Sequence, residues 1–274
     1  MEQGELLARI NELPKIRKVL QELIEMVNQE DVDLNQLAKK IAMEQVVSAR
    51  ILRLANSAHF GRSRSVASID EAVVRLGTEP IRTLVAVSVL SSAFPKFDSL
   101  DIKQYWSDTF EVATIASQTA KKVGVDPNRA FTAGVLHNIG ELMIHALAPD
   151  YAKIITDRVN DGEEASLVQN ELLGTTATRL GAKLATAWKF APQLTDSIAH
   201  YLAPSNAEED KKLARLLHFA YRVNRDWDEL ESEQEREDYL DCCQDAIELG
   251  IAPEFANVLD EIRGQGQDIA AQMM

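Results

Sequence analysis

Apolar residues recur at steps of three and four along nearly the whole chain, and this spacing constrains the fold more than any other feature. Leu13, Ile16, Leu20, Leu23, Ile24 and Val27 define one such stripe, the pattern of a helix that buries a single face. Val46, Val47, Ile51, Leu52 and Leu54 continue it, and a longer amphipathic pattern runs from Trp106 to Val123 before breaking at Gly124. Only 12 Gly and 8 Pro punctuate 274 residues, too few for a chain of many short strands and tight turns. The pattern predicts an all-α protein without significant sheet, long enough to bury a substantial core.

Cap and breaker residues mark where these helices start and stop. Asp33 with Gln36, and Ser68 with Glu71, match the capping-box pattern. Gly77 closes one helix and Pro80 sits near the start of the next. The β-branched run LVAVSVL within 81–94 would also suit a strand, but its length and the preceding Pro80 favour a buried helix. Asp126-Pro127 opens a helix expected to run unbroken through FTAGVLHNIGELMIHAL to Pro149. Further helices are expected at 150–160, 163–173, 176–188 and 193–202, with Ser205 and Glu208 capping the one after Pro204. The segment PKFDSLD reads as a linker. These breaks divide the chain into an N-terminal helical lobe (1–97), a second helical lobe (98–205) and C-terminal helices packed on the second lobe (206–274).

Charge and cysteine usage narrow the setting. The formal net charge is −14, from 29 basic and 43 acidic side chains. That balance argues against a general nucleic-acid coat, because phosphate binding draws on Lys and Arg. The longest apolar stretch, Leu84 to Leu90, is far too short to span a bilayer. The first residues carry acids and no continuous apolar run, so no signal peptide is expected. Cys242 and Cys243 are adjacent; they can neither clip distant segments nor form a zinc knuckle, and a reducing, cytoplasmic setting is expected. The acids between Asp226 and Asp241 read as a solvated helix face.

Searched for chemistry, the chain offers little by motif alone. Its five histidines, His59, His137, His145, His200 and His218, include no pair at the four-residue spacing of a helical zinc site. On one continuous helix His137 and His145 would lie about 12 Å apart along the axis, too far to share an ion. No GxSxG elbow, phosphate-binding GxxxxGK[ST] loop or GxGxxG turn is present.

Two segments carry more. The first is LPKIRKVLQELIEMV, then IAMEQVVSARILRLANSAHFG and SIDEAVVRLG; the second is FTAGVLHNIGELMI, then NELLGTTATRLGAKLATAWKFAPQLTDSIAHYL. Together, over most of residues 10–205, they resemble the HDOD family, helical output domains of bacterial signalling proteins related to HD-type phosphohydrolases. The resemblance implies two packed helical lobes, the second HD-like. HD hydrolases hold one or two divalent metals with a helix His, a His-Asp doublet and a later Asp. Set against that pattern, Asp108 stands in place of the first His, and the doublet is His137-Asn138. Thr176 occupies a position that is often His, and His200-Tyr201 replaces a frequent His-His pair. An amide is a poor ligand for a cation and carries no bridging charge. The resemblance therefore implies a vestigial pocket of Asp108, His137, Asn138, Thr176 and His200, without catalytic residues, bound metal or cofactor.

Plainer roles for the same residues stand beside this. His137 reads as a buried histidine bonded to Asp108, Asn138 as bonding a nearby carbonyl, and Gly134 and Gly140 as allowing close helix packing. Asn56-Ser57 reads as a helix end whose side chains satisfy free backbone groups. Arg50, Arg53, Arg62, Arg64, Arg75 and Arg82 give a local positive excess; they read either as surface arginines spread over several helices or as a docking patch for an acidic or phosphorylated partner. The leading expectation is a non-catalytic signalling module that binds a protein partner, with a small ligand in the old pocket and no membrane partner; direct nucleic-acid binding through the arginines is a third and weaker option. The competing expectation is a metal-dependent phosphohydrolase with an altered ligand set of His137, Asp108 and His200.

Overall fold

A computed structural model describes residues 22, 23, 26, 32–57, 60, 65–93, 99–188 and 190–273. The chain is all-α, and among the described residues there is no β-strand. The described helices begin with α1 (Leu34–Ala42), α2 (Gln45–Ala55), α3 (Ile69–Leu76) and α4 (Thr78–Ala93). The ambiguous apolar run is thus helical. Asp33 caps α1 by accepting from the N–H groups of Asn35 and Gln36, and Ser68 caps α3 by accepting from Glu71 N. Glu71 reaches back to Ala67 N at 3.4 Å, one residue earlier than a full capping box requires.

Asn56 ends α2 as its sequence suggests. Its amide donates to Leu52 O and Val66 O, and its carbonyl accepts from Val66 N, all at 2.8–2.9 Å. One side chain thus satisfies the helix end and pins the segment leading into α3. Ser57 Oγ donates to Leu54 O at 2.8 Å.

At the centre lies α5 (Ile102–Val123), which is not the one-sided helix its spacing suggests. Val112 to Ala116 are buried without a break, because neighbours cover this stretch all round. Against it pack α6 (Pro127–Leu136), α12 (Lys211–Asp226) and α16 (Gln265–Met273). The crossing with α6 is close: a Cβ on Gly134 would lie 2.3 Å from Ala113 Cα. Trp106, Phe110 and Phe131 fill the same core, with successive ring centroids 6.1 and 6.4 Å apart.

The expected single helix from Asp126 to Pro149 is two helices, α6 and α7 (Ile139–Leu147), broken at His137-Asn138. His137 Nδ1 takes the carbonyl of Gly134 at 2.6 Å, the acceptor that a continuous helix would pair with the Asn138 amide. Asn138 leaves helical geometry at φ −104, ψ 11 and becomes the N-cap of α7. Gly140 then crosses the next layer so closely that a Cβ would fall 1.8 Å from Ala177 O.

The later helices are α8 (Pro149–Asn160), α9 (Ala165–Leu173), α10 (Ala177–Ala187) and α11 (Pro192–His200), each within two residues of its expected start and end. The cap of α12 is a correction. Ser205 lies in a 3-10 turn, and Asp210 caps the helix by accepting from Leu213 N at 2.9 Å. The Asp196 carboxylate takes the amides of Glu208 and Glu209 that the expected cap would have oriented.

The C-terminal helices α13 (Glu233–Cys242), α14 (Gln244–Leu249), α15 (Ala256–Ile262) and α16 complete the chain. Glu111, fully buried on α5, accepts from Gly264 N at 2.7 Å and Gly266 N at 2.9 Å, with Arg263 at 3.6 Å. The acidic stretch is partly structural: Asp226 pairs with Arg222 and Arg225, and Asp228 with Arg263. Cys242 is exposed and Cys243 buried, both as free thiols. Among the described residues, no helix is long and apolar enough to cross a membrane.

Candidate functional site

The kink between α6 and α7 faces a cavity of about 420 Å³. Asp108 comes from α5, His137 and Asn138 from the kink, Glu141 from α7, and Thr176 from the cap of α10; Tyr201 follows α11, and Tyr221 and Arg225 lie on α12. Asp108, His137, Asn138 and Thr176 are therefore brought to one cavity. His200 is not on its wall. Its Nδ1 lies 2.9 Å from Asp196 Oδ1, and the adjacent Tyr201 lines the cavity instead.

His137 is 3% exposed. A carbonyl oxygen can only accept, so Nδ1 must carry the proton it shares with Gly134 O. Burial holds the ring's pKa down to about 4, against the upward pull of that bond. Near neutral pH the ring is therefore uncharged and Nε2 is an unprotonated acceptor. The expected bond to Asp108 is absent: Asp108 Oδ1 accepts from Gln104 Nε2 at 3.0 Å, one turn earlier on its own helix.

Asn138 is fixed by a different partner from the one its sequence suggests. Its Nδ2 donates to Thr109 Oγ1 at 2.8 Å, and Thr109 Oγ1 donates to Tyr105 O at 2.6 Å. Because the Thr109 proton is committed, its oxygen needs a donor, which identifies the amide nitrogen of Asn138 as the atom facing it. Asn138 Oδ1 is left buried without a hydrogen-bond partner.

Glu141 continues the polar wall. It accepts from Gln169 Nε2 at 3.0 Å, while Gln169 Oε1 accepts from Ala177 N at 2.8 Å. Its other oxygen lies 3.5 Å from His145 Nε2, and Ser99 Oγ is 2.8 Å from His145 Nδ1. Glu141 and Gln169 thereby separate the main cavity from a second one of about 370 Å³, lined by Ser99 and His145.

The opposite wall is aromatic. The His137 ring meets Tyr201 edge-on at 5.3 Å and Tyr221 at 6.2 Å, with the two tyrosines 5.6 Å apart. Burial, followed by Tyr221 and Glu141, pushes the Tyr201 phenol well up, so it stays protonated. Arg225 forms a two-point pair with Asp226 and lies 5.8 Å from the Tyr221 centroid. Thr176 caps α10 through Arg179 N and pairs with the Thr178 hydroxyl at 3.0 Å.

Sequence reasoning missed Glu141, Gln169, Tyr221 and Arg225. Glu141 carries a readable signal, an acid on the otherwise apolar IGELMIHAL helix. Tyr221 and Arg225 lie beyond the segments that carry the family resemblance and have no such signal. Of the arginines, Arg50 is buried, with burial and neighbouring Arg53 lowering its pKa, while Arg53 is exposed. Arg75 directs a guanidinium nitrogen to Ala55 O at 3.4 Å. The side chains of Arg62, Arg64 and Arg82 lie outside the described residues, as does His59.

Comparison with known proteins places this geometry in context. The HDOD domain family model matches residues 13–204. A Shewanella amazonensis crystal structure, provisionally assigned as a phosphohydrolase, is 40% identical, with a TM-score of 0.84 over 99% of this chain and 98% of that one. An HDOD domain protein of unknown function from Geobacter sulfurreducens shares the fold at 20% identity, with a TM-score of 0.75 over 99% and 98% of the two chains. An uncharacterized Treponema pallidum protein is 26% identical over 216 residues, which is 77% of this chain; the match spans 42% of that relative's length.

Proposed function

The chain belongs to the HDOD family, and from that premise we propose that it is a non-catalytic signalling module whose former hydrolytic pocket now serves binding. The observation that carries this reading is the neutral amide of Asn138 at the doublet position. A hydrolytic cation needs several donors gathered within about 2.0–2.6 Å of one point. Here a neutral amide stands where a carboxylate would bridge cations, with its nitrogen bonded to Thr109 and its oxygen buried. Among the described residues, no group of three or more His, Cys, Asp or Glu side chains could hold a metal ion. The residues present do not fit a hydrolytic metal.

On this reading Asp108, His137, Asn138 and Thr176 form a ligand pocket, with His200 outside it. Residues 1–97 form the N-terminal lobe, 98–205 the HD-like lobe that holds the pocket, and 206–274 an extension that closes it through Tyr221 and Arg225. The output passes to a protein partner in the cytoplasm, with Arg53 and Arg75 part of its docking face.

Elemental analysis of the purified protein tests the reading. It predicts Mn, Fe, Zn, Co and Ni each well below one per chain. Near-stoichiometric metal retained by the wild type and lost from His137→Ala would overturn it. That result would favour the competing reading, which draws on the Shewanella relative, of a metal-dependent phosphohydrolase with altered ligands.

A further inference from the structure

We propose that the cavity at the α6–α7 kink binds a small organic cation, a primary ammonium or guanidinium compound, rather than a phosphorylated ligand. This rests on the binding role proposed above and adds the chemical class of the ligand. Of the cavity's nitrogen donors, Asn138 Nδ2 is used on Thr109, Gln169 Nε2 on Glu141 and Arg225 on Asp226, which leaves the hydroxyls of Tyr201 and Tyr221 as neutral donors. Beyond those two phenols, the capacity that remains is mainly accepting. His137, almost wholly buried, keeps Nε2 without a partner. The carboxylates of Asp108 and Glu141 add two negative charges to the same lining.

A phosphate would meet these lone pairs and carboxylates with no uncommitted cation to offset them, since Arg225 is already paired with Asp226. A bare metal ion must collect its ligands at one point, which these acceptors do not do. An organic cation differs from both. Its N–H groups are spread over several ångströms, so separated acceptors can each take one, and 420 Å³ accommodates a short chain. Tyr201 and Tyr221 add aromatic faces suited to a cation, and the Tyr221 face already has the Arg225 guanidinium beside it.

Calorimetric titration of the full chain with agmatine and with putrescine tests this, alongside Nα-acetyl-lysinamide as the equivalent of a partner's side chain, and AMP and inorganic phosphate as anions. Saturable one-to-one binding of a free amine is expected, weakened about tenfold or more in both Asp108→Asn and Glu141→Gln, since each removes a charge-assisted bond. Both substitutions keep an acceptor oxygen for Gln104 or Gln169, and thermal unfolding of each variant without ligand verifies that it folds. Amine binding that is absent, or equal in wild type and variants, would overturn the proposal. So would preferential binding of AMP or phosphate, or binding confined to the lysine analogue. Metal-dependent turnover would refute the non-catalytic reading by itself, whereas failed amine binding without turnover would refute only the ligand class.

Discussion

Asn138 Nδ2 donates to Thr109 Oγ1 across 2.8 Å, and Thr109 in turn gives its proton to the Tyr105 carbonyl. The relay runs from amide to hydroxyl to carbonyl, so a carboxylate in place of the amide forces the Thr109 hydroxyl to give up Tyr105 O and leaves a buried charge with an unmet oxygen. Restoring the His-Asp doublet with Asn138→Asp is therefore expected to destabilise the fold by about 1–3 kcal/mol, the cost of an unmet buried acceptor. Equilibrium urea unfolding reads the cost. No hydrolytic activity with added Mn²⁺ should accompany it, because the donor set stays incomplete.

Glu111 ties the last helix to the central one. Its carboxylate receives Gly264 N and Gly266 N, although burial, the largest influence, raises its pKa above the usual carboxylate value. Glu111→Gln turns one acceptor into a donor facing an N–H group, at a cost of about 1–3 kcal/mol. Hydrogen exchange should rise over 264–273 in this variant, with the α5–α6 core still protected. Unchanged protection would contradict the tie.

His137 gives stability a defined pH dependence. Its folded pKa of about 4 lies below the ordinary value of 6.5, so the fold favours the neutral ring. The associated stability is fully present above about pH 6.5 and is lost as pH falls towards 4, roughly 3 kcal/mol in all. Urea unfolding at several pH values should show this decline in wild type, flattened in His137→Phe, which keeps an aromatic ring against Tyr201 and Tyr221. Parallel pH profiles for the two proteins would contradict the assignment.

Gly140→Ala probes the floor of the site. A Cβ there would meet Ala177 O at 1.8 Å, and backbone cannot give way as a side-chain tip can. A loss of about 1–3 kcal/mol or more follows from overpacking of this kind. Thermal unfolding should show a large drop for Gly140→Ala but almost none for Glu254→Ala, a substitution in the 3-10 turn Pro253–Phe255, away from this contact.

Much of the helix order was legible because each start carries its own chemistry. Asp33, Ser68 and Asp126 cap the helices that follow them, and Asn56 closes α2. The kink at His137 was not legible, because it depends on an imidazole taking a carbonyl three residues back, which no apolar period reveals. The site divides in the same way. Asp108, His137, Asn138 and Thr176 could be picked out by likeness to a motif, whereas the exchange of His200 for Tyr201 on the cavity wall depends on how α11 is turned. Tyr221 and Arg225 enter through tertiary packing of a helix far along the chain, and local sequence carries no trace of that.

The claim that the pocket lacks hydrolytic chemistry is tested most directly by assaying the full chain against phosphomonoesters, cyclic nucleotides and nucleotides with Mn²⁺, Fe²⁺ or Mg²⁺ supplied. The account predicts the same background release from wild type and His137→Ala. Metal-dependent turnover by wild type that vanishes in His137→Ala would contradict it.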